Sequence, residues 1–547
     1  MGASPAAVVT DMPAAPAGQL EFEAALPSEN TPGVAAHCTA VYRPNGGEAL
    51  TKSFTISTVQ RWVRQQLQVP AAPAGAKIEL ECLGVPKVLW SQPRLVAEAS
   101  AAPAPLIVLL SLDTLRADHV SGFGAPPEAT PALGELGDDG VRMLDTASQF
   151  TWTLPSHFTM FYSRLFGFPI SVRPVRGLTQ ALAAHGFATG GFTGGGFVGS
   201  AFRFHYGFDS YAEYDPKHPS IGDIDVLPRT LDDAQKWLSE HDKVPSFAFV
   251  HTYAVHEATP EEKEIAKLKK FPPAPPTPEL VKSASAFYDH LVSNLDQRLA
   301  GFFDYLRAAA QRRPVFLLVT SDHGEAFGEH DNFRHGIGGK GVTLDDEIVH
   351  VPMIFWGPSV LADAPDSHTP FMLLDLAPTI FSAVGIPKPE SMEGRNFWPM
   401  LIGHWSWSLR KWDPQWKIPA LSYKAEVPGD PAAWSSRSSE WKLIAPISET
   451  PAMSLYNLKK DPAARENLSE MEPARVAAAL KELTTTLQGI DVALPEGSPG
   501  LPVCPDCGWH DLAKFWKQLD PHVVEAPGEA GLDEDTRDRL KRLGYLD

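Results

Sequence analysis

Two apolar runs in this chain stop on acidic residues in the same way. VFLLVT, Val315 to Thr320, is followed by Ser321, Asp322, His323 and Gly324, and LIVLLSL, Leu106 to Leu112, is followed by Asp113, Thr114, Leu115 and Arg116. Short apolar runs of this kind read as buried parallel strands, and polar groups released at the carboxyl ends of such strands lie where open α/β sheets bind ligands. Asp113, Asp322 and His323 are therefore expected to share one edge. Two carboxylates and one imidazole suit a single divalent cation. An all-oxygen set would favour Ca²⁺; the imidazole shifts the expectation toward Zn²⁺ or Mn²⁺, with Ca²⁺ still compatible. One such residue alone would more often be a strand-end cap or turn, and it is the repetition at two strand ends that argues for a site.

Holding such groups in place requires a large core. The chain has 547 residues, 44% of them hydrophobic, enough for about three domains by the usual size prior. Its formal net charge of -19 argues against nucleic-acid or anionic-membrane partners, so a small anionic substrate would have to be met by a local positive pocket. No apolar run reaches the roughly eighteen residues of a membrane span, and MGASPAAVVTDMPAAPAG lacks the basic and apolar regions of a secretory signal. The chain is expected to be soluble, in the cytoplasm or, after removal of a leader, in the periplasm or outside the cell. Four cysteines exclude a disulfide scaffold; Cys38 and Cys82 can pair, but separate buried thiols are the expectation.

Proline and alanine mark the boundaries. Residues 1–18 are expected to be a flexible N-terminus. Alternating segments such as QLEFEAAL, CTAVYRP, KSFTIST and KIELECLG predict a β-sandwich accessory domain over 19–98. After EASAAPAPL, residues 104–400 alternate strand candidates with helical stretches such as FYDHLVSNLDQRLAGFFDYLRAAA, the pattern of an α/β core. A small α+β subdomain over 401–475 and a helical and loop tail over 476–547 complete the expected order.

LLSLDTLRADHVSGFG, TWTLPSHFTMF, FVHTYAVHEATP, LLVTSDHGEAFGEHDNFRHG, VPMIFWGP and LYNLKKDPAARENL resemble, in order, the signatures of the sulfatase family in the alkaline phosphatase superfamily. The ending RDRLKRLGYLD resembles tails of bacterial members. The resemblance implies an alkaline phosphatase-like α/β sandwich for the core. It places Thr153 where family sulfatases carry the cysteine or serine that becomes formylglycine, with Leu154, Pro155, Ser156 and His157 for the rest of that recognition sequence and its arginine missing, so no formylglycine is expected. The position resembles instead the threonine nucleophile of the superfamily's phosphodiesterases, phosphonate monoester hydrolases and phosphoethanolamine transferases. A hydroxyl on a divalent cation is acidified and can attack phosphorus or sulfur in line, so Thr153 is expected both as nucleophile and as metal ligand. As a purely structural residue it would cap the helix starting near Pro155.

The resemblance also implies substrate-side groups. His256 aligns with the family histidine that follows a strand and faces substrate, His335 lies twelve residues after His323 as in the transferase branch, and Lys340 resembles the catalytic lysine in its Gly-Lys-Gly setting. Together they can bind an anion and protonate the leaving oxygen. His251, inside the strand SFAFVHT, reads as a core histidine. Some positions depart from the pattern: Thr114 stands for a second acidic ligand, and Gly194 and Gly196 for a lysine and a histidine, with His157, Arg173, Arg203 or Lys340 left to compensate. Cys504, Cys507 and His510 fall short of a zinc site and read as loop, FTGGGFVG reads as a backbone turn, and the tryptophans of 411–442 suit either a substrate rim or ordinary packing. The expected function is metal-dependent hydrolysis of a sulfate or phosphate/phosphonate ester through Thr153. The alternatives are a phosphoryl-group transferase of the same superfamily and a catalytically degenerate binding protein, the N-terminal sandwich in either case contacting a glycan or a protein.

Overall fold

The computed structural model describes residues 6–12, 18–25, 35–44, 48–56, 63–70, 76–84, 88–90, 94–97, 103–168, 175–214, 226–256, 278–331, 335, 343–358, 361, 365–403, 418–426, 431–448, 452–490, 492 and 501–504. Strand Leu106–Leu112 lies at the centre of a seven-stranded sheet. Val315–Thr320 pairs with it in parallel on one side and Ser246–Thr252 on the other. Beyond Ser246–Thr252 come Ala188–Thr193 and Ser210–Glu213, also parallel. Beyond Val315–Thr320 the sheet turns antiparallel through Met353–Trp356 to Val141–Arg142.

The central strands are buried on both faces because helices cover both. Leu106, Val108 and Leu110, with Val315, Leu317 and Val319, pack against helices Pro131–Asp138, Val226–Glu240 and Pro278–Ala310. Ile107, Leu109, Phe247 and Phe249 face the opposite way, toward helices Thr153–Tyr162, Leu178–Ala184 and Leu376–Ala383. Successive strand residues point to opposite faces, so an unbroken apolar run is what a doubly covered sheet requires. This is the α/β sandwich that the sequence predicts.

Two antiparallel sheets precede it. One runs Ala6–Met12, Ala76–Leu83, Ala36–Arg43, Leu50–Ile56; the other joins Val63–Val69, Gly18–Ala25 and Leu89–Trp90, with Arg94–Ala97 also on Gly18–Ala25. Leu20 and Phe22 of the second sheet share a core with Ala40, Tyr42, Ile78 and Leu80 of the first, which makes the pair a sandwich. Residues 6–12, expected within a flexible N-terminus, instead form an edge strand: Val8, Val9 and Thr10 supply β-branched residues, and pairing with Ala76–Leu83 satisfies that edge. A second correction concerns the thiols. Cys38 and Cys82 sit directly opposite on neighbouring strands with Cα atoms 4.0 Å apart and form a disulfide. Cys504 is disulfide-bonded too, so no described cysteine is free.

Toward the C-terminus, strands Ala420–Lys424, Ala433–Arg437, Trp441–Pro446 and Ser454–Asn457 form an antiparallel sheet. Helix Pro473–Gly489 straddles the expected boundary at 475, since Leu483 and Leu487 share a core with Trp434 and Leu443. Trp434 is fully buried and its Nε1 donates to the Pro502 carbonyl, a packing role rather than a rim; residues 404–417, with Trp412 and Trp416, lie outside the described residues.

Buried ion pairs join this sheet to the core. Lys442 Nζ lies 2.5 Å from Asp346 Oδ1, and Arg437 reaches Asp346 Oδ2 at 3.0 Å and Asp145 Oδ1 at 2.6 Å. Burial opposes the Asp346 anion, but Arg437 and Lys442 draw its carboxyl far below the usual range. Removing one member leaves the others charged and buried, so Asp346→Asn is expected to lower stability by about 3–5 kcal/mol in a denaturant titration. An unchanged midpoint would mean that the joint contributes nothing net.

Candidate active site

The central strand and its neighbour deliver Asp113 and Asp322 to the same edge, and His323 follows directly. Ligand atoms of these three residues all lie within 4.8 Å of one another, and each residue is fully buried. The backbone is bent to allow this. Thr114, with φ of 59°, is left-handed, a conformation uncommon for a β-branched residue and found where surrounding structure enforces it. Its hydroxyl bonds the Asp113 carbonyl, so it does not act as a second acid; its N–H instead donates to Asp322 Oδ1 at 3.3 Å, alongside the His323 N–H at 3.0 Å. Gly324 is required next, since a Cβ there would lie 2.1 Å from the Glu347 carbonyl oxygen.

Thr153 opens the helix Thr153–Tyr162 but does not cap it. The preceding Trp152 is the extended cap residue and makes no side-chain cap bond. The Thr153 hydroxyl instead donates to Asp113 Oδ2 at 3.2 Å and lies 3.4 Å from His323 Nε2. His323 Nδ1 donates to the Gly324 carbonyl at 2.9 Å, which turns Nε2 toward the carboxylates as an acceptor.

Four imidazoles surround this cluster. His251, read from the sequence as a core histidine, points Nε2 at Asp113 Oδ2 across 3.3 Å. Strand alternation gave no sign of this, since the run around it is apolar on both sides. His157 lies against Asp322, and its ring centroid is 5.0 Å from that of His251. His335 packs against His323 at 4.2 Å and His256 at 4.9 Å, so both expected substrate-side histidines join the cluster. Glu325, not singled out in the sequence although it follows the dyad by two residues, receives the His335 Nδ1 hydrogen bond at 2.9 Å. Tyr253 stands between His251 and His256. Its ring fills the space beside Gly194, where a Cβ would come within 2.7 Å, so a side chain at that position would require the Tyr253 ring to move. Arg203 donates to the Tyr206 hydroxyl and stacks over its ring. Lys340, Arg173, Cys507 and His510 lie outside the described residues.

The electrostatics suit a cation. Burial, then the neighbouring Asp322, pushes the Asp113 carboxyl well up. Burial works against the Asp322 anion as well, but His323, His157 and His251 and the Thr114 N–H outweigh it and draw its carboxyl down. Burial drives His323 to about 3 and lowers His157 as well, which weakens their pull, so the Thr114 and His323 N–H donors add to the support of the Asp322 anion. Within this pair of buried carboxylates, Asp113 Oδ1 and Asp322 Oδ2 have no hydrogen-bond partner. A buried carboxylate oxygen without a partner is costly. A divalent ion at Asp113, Asp322, His323 and Thr153 would satisfy both oxygens.

A second acidic group, His330 with Asp345 and Glu347, has a different resolution. His330 Nδ1 faces Glu347 Oε1 at 2.7 Å and Nε2 faces the Ala464 carbonyl at 2.9 Å. Both partners only accept, so both nitrogens carry hydrogen and the ring is an imidazolium. The Glu347 bond raises its pKa to about 9. A folded-state pKa raised above the unfolded value of about 6.5 gives stability that is complete below that pH and lost as pH climbs through the folded value. The melting-temperature difference between wild type and His330→Gln is therefore expected to shrink as pH rises from about 6.5 to about 9 and to level off above; a difference constant with pH would contradict the imidazolium.

Comparison with known proteins bears on what this edge does. The sulfatase family profile matches residues 105–386, and the profile for the C-terminal part of N-sulphoglucosamine sulphohydrolase matches 334–490. Arylsulfatase K of Danio rerio is 28% identical over 199 residues, which cover 36% of this chain and 36% of that protein. The chain thus spans about a third of the length of the curated relatives it matches. Such vertebrate relatives give no support to the bacterial reading of the C-terminal tail, which lies outside the described residues. Among solved structures, a protein in complex with its substrate D-glucosamine-2-N,6-O-disulfate superposes with a TM-score of 0.55 at 16% identity, over 73% of this chain and 100% of that one. The phosphonate monoester hydrolase of Agrobacterium radiobacter superposes with a TM-score of 0.56 at 18% identity, over 71% of this chain and 96% of that one.

Proposed function

The chain belongs to the sulfatase family, and from that premise we propose that it hydrolyses a sulfate ester with the Thr153 hydroxyl as the attacking group. The observation that carries the reading is the placement of that hydroxyl, first in its helix, buried, and within 3.2 Å of Asp113 and 3.4 Å of His323. Asp113, Asp322, His323 and Thr153 are the residues that would hold a divalent ion, Zn²⁺ or Mn²⁺ ahead of Ca²⁺ for a set containing an imidazole. Such an ion acidifies a bound hydroxyl and draws charge from the oxygens of the ester.

The chain's own groups divide the remaining work. Thr153 Oγ1 attacks sulfur, and Asp113 Oδ2 lies within reach of its proton. The bond to the leaving oxygen breaks, that oxygen keeps the electron pair, and His256 or His335 supplies its proton. Lys340 is assigned to the anion's outer oxygens. Water then bonds to the sulfur, the bond from sulfur to Thr153 Oγ1 breaks, and Oγ1 regains a proton as inorganic sulfate leaves. No step uses formylglycine.

Phosphate or phosphonate esters are the second reading. Thr153 supports it, because the residue is an unmodified hydroxyl at the position where family sulfatases convert a cysteine or serine. The closed space at Gly194 supports it too, since it removes one lysine of the usual sulfate clamp. The likeness to a phosphonate monoester hydrolase is in keeping with it.

Turnover of matched nitrophenyl sulfate, phosphate and phosphonate esters tests both readings. Thr153→Ala is expected to lose at least about a thousandfold in kcat on whichever ester the wild type prefers. Activity that survives the substitution would overturn the nucleophile, and the ratio of sulfate to phosphonate turnover decides between the two substrates.

A further inference from the structure

We infer that His157 is a positioning residue that aims the Thr153 hydroxyl, an inference that rests on the nucleophile proposed above. His157 lies four residues after Thr153 on one helix, and helical side chains lean back toward the N-terminus, so the imidazole falls over the turn that carries the hydroxyl. It is fully buried. Nδ1 meets acceptors alone, the Thr153 carbonyl at 2.9 Å and Asp322 Oδ2 at 3.5 Å, and so carries the hydrogen. Nε2, 2.9 Å from Ser111 Oγ, then accepts from the Ser111 hydroxyl.

One ring thereby joins three segments that have no covalent proximity. Ser111 belongs to the central strand, Asp322 follows its neighbour, and Thr153 begins the helix that must meet both. The rings of Phe249, Phe204 and His251 stand edge-on around the imidazole at 5.8, 6.2 and 5.0 Å and restrict it to this orientation. The role is specific to the Nδ1 hydrogen. It bonds the Thr153 carbonyl and so fixes the first turn of the helix, with Asp322 Oδ2 close by at 3.5 Å but not hydrogen-bonded, while His157 itself touches no reacting atom. Loss of the bond therefore falls on kcat, because misplacing a reacting group by about 1 Å costs about a hundredfold.

Two isosteric substitutions separate this role from space filling. The amide of asparagine places an N–H near the position of Nδ1, whereas that of glutamine places one near Nε2. Assayed at saturating metal, His157→Asn is expected to stay within about tenfold of wild type, while His157→Gln and His157→Ala lose about a hundredfold in kcat with KM within about threefold. ¹⁵N spectra of the wild-type protein without added metal are expected to show His157 as the Nδ1–H tautomer. Equal losses for asparagine and glutamine, or an Nε2–H tautomer, would overturn the inference; should His157→Ala fail to fold, the wild-type spectrum still decides. Thr153→Ala assayed alongside keeps the two claims apart. If it remains active the nucleophile reading fails, whereas an inactive Thr153→Ala beside equal asparagine and glutamine variants sinks only the role of His157.

Discussion

Repulsion between two buried carboxylates is the constraint on which the rest of this site depends. Asp113 and Asp322 come from neighbouring parallel strands, and the sheet's own pairing holds them side by side whether or not anything lies between them. In a water-excluded interior two such anions cannot both be charged without a compensating positive group. The surroundings meet half of that requirement. Backbone N–H groups of Thr114 and His323 bind one Asp322 oxygen, at the expense of a left-handed Thr114. The other half is an oxygen on each acid with no partner, in a cluster where ligand atoms of Asp113, Asp322 and His323 lie within 4.8 Å of one another and the Thr153 hydroxyl is 3.4 Å from His323 Nε2. Strain and unsatisfied polarity converge there, as they do at functional sites.

From that volume outward the imidazoles fall into two layers. His157 and His251 lie behind the carboxylates, on the side of the apolar core, and brace Asp322 and Asp113 respectively. His256 and His335 lie in front, with Glu325 fixing the tautomer of His335. Tyr253 ties the layers together through ring contacts with His251 and His256, and its hydroxyl reaches the Gly195 carbonyl at 3.2 Å. The consequence for chemistry is a site richer in imidazole than in lysine among the described residues. Aromatic residues on the same face, Phe204 and Phe249 among them, leave the rear layer little freedom to rearrange.

The parts that could be read from sequence are those encoded by local pattern. Short, largely apolar runs leading to Asp113 and Asp322 specify buried strands and a shared edge, because a parallel strand covered on both faces buries every side chain of such a run. Thr153, His256 and His335 were legible through ordered motifs. His251 was not, because a histidine inside an apolar strand has the same local pattern whether it is buried idly or turned on an acid from the next strand. Glu325 and Tyr253 escaped for a similar reason: each acts through a contact across elements, with His335 and with Gly194. The Cys38–Cys82 pair depended on strand register, which composition does not carry, and the strand at 6–12 lay in an alanine- and proline-rich stretch whose few β-branched residues gained order only from a partner far along the chain.

The most direct measurement of the account is a calorimetric titration of the metal-free protein with Zn²⁺ or Mn²⁺, repeated in buffers of different ionisation enthalpy. One equivalent per chain should bind, a proton should leave the carboxylate pair as it does so, and Asp322→Asn should abolish the high-affinity phase. Binding that is indifferent to that substitution, or that releases no proton, would contradict the claim that the paired acids exist to hold a cation beside Thr153.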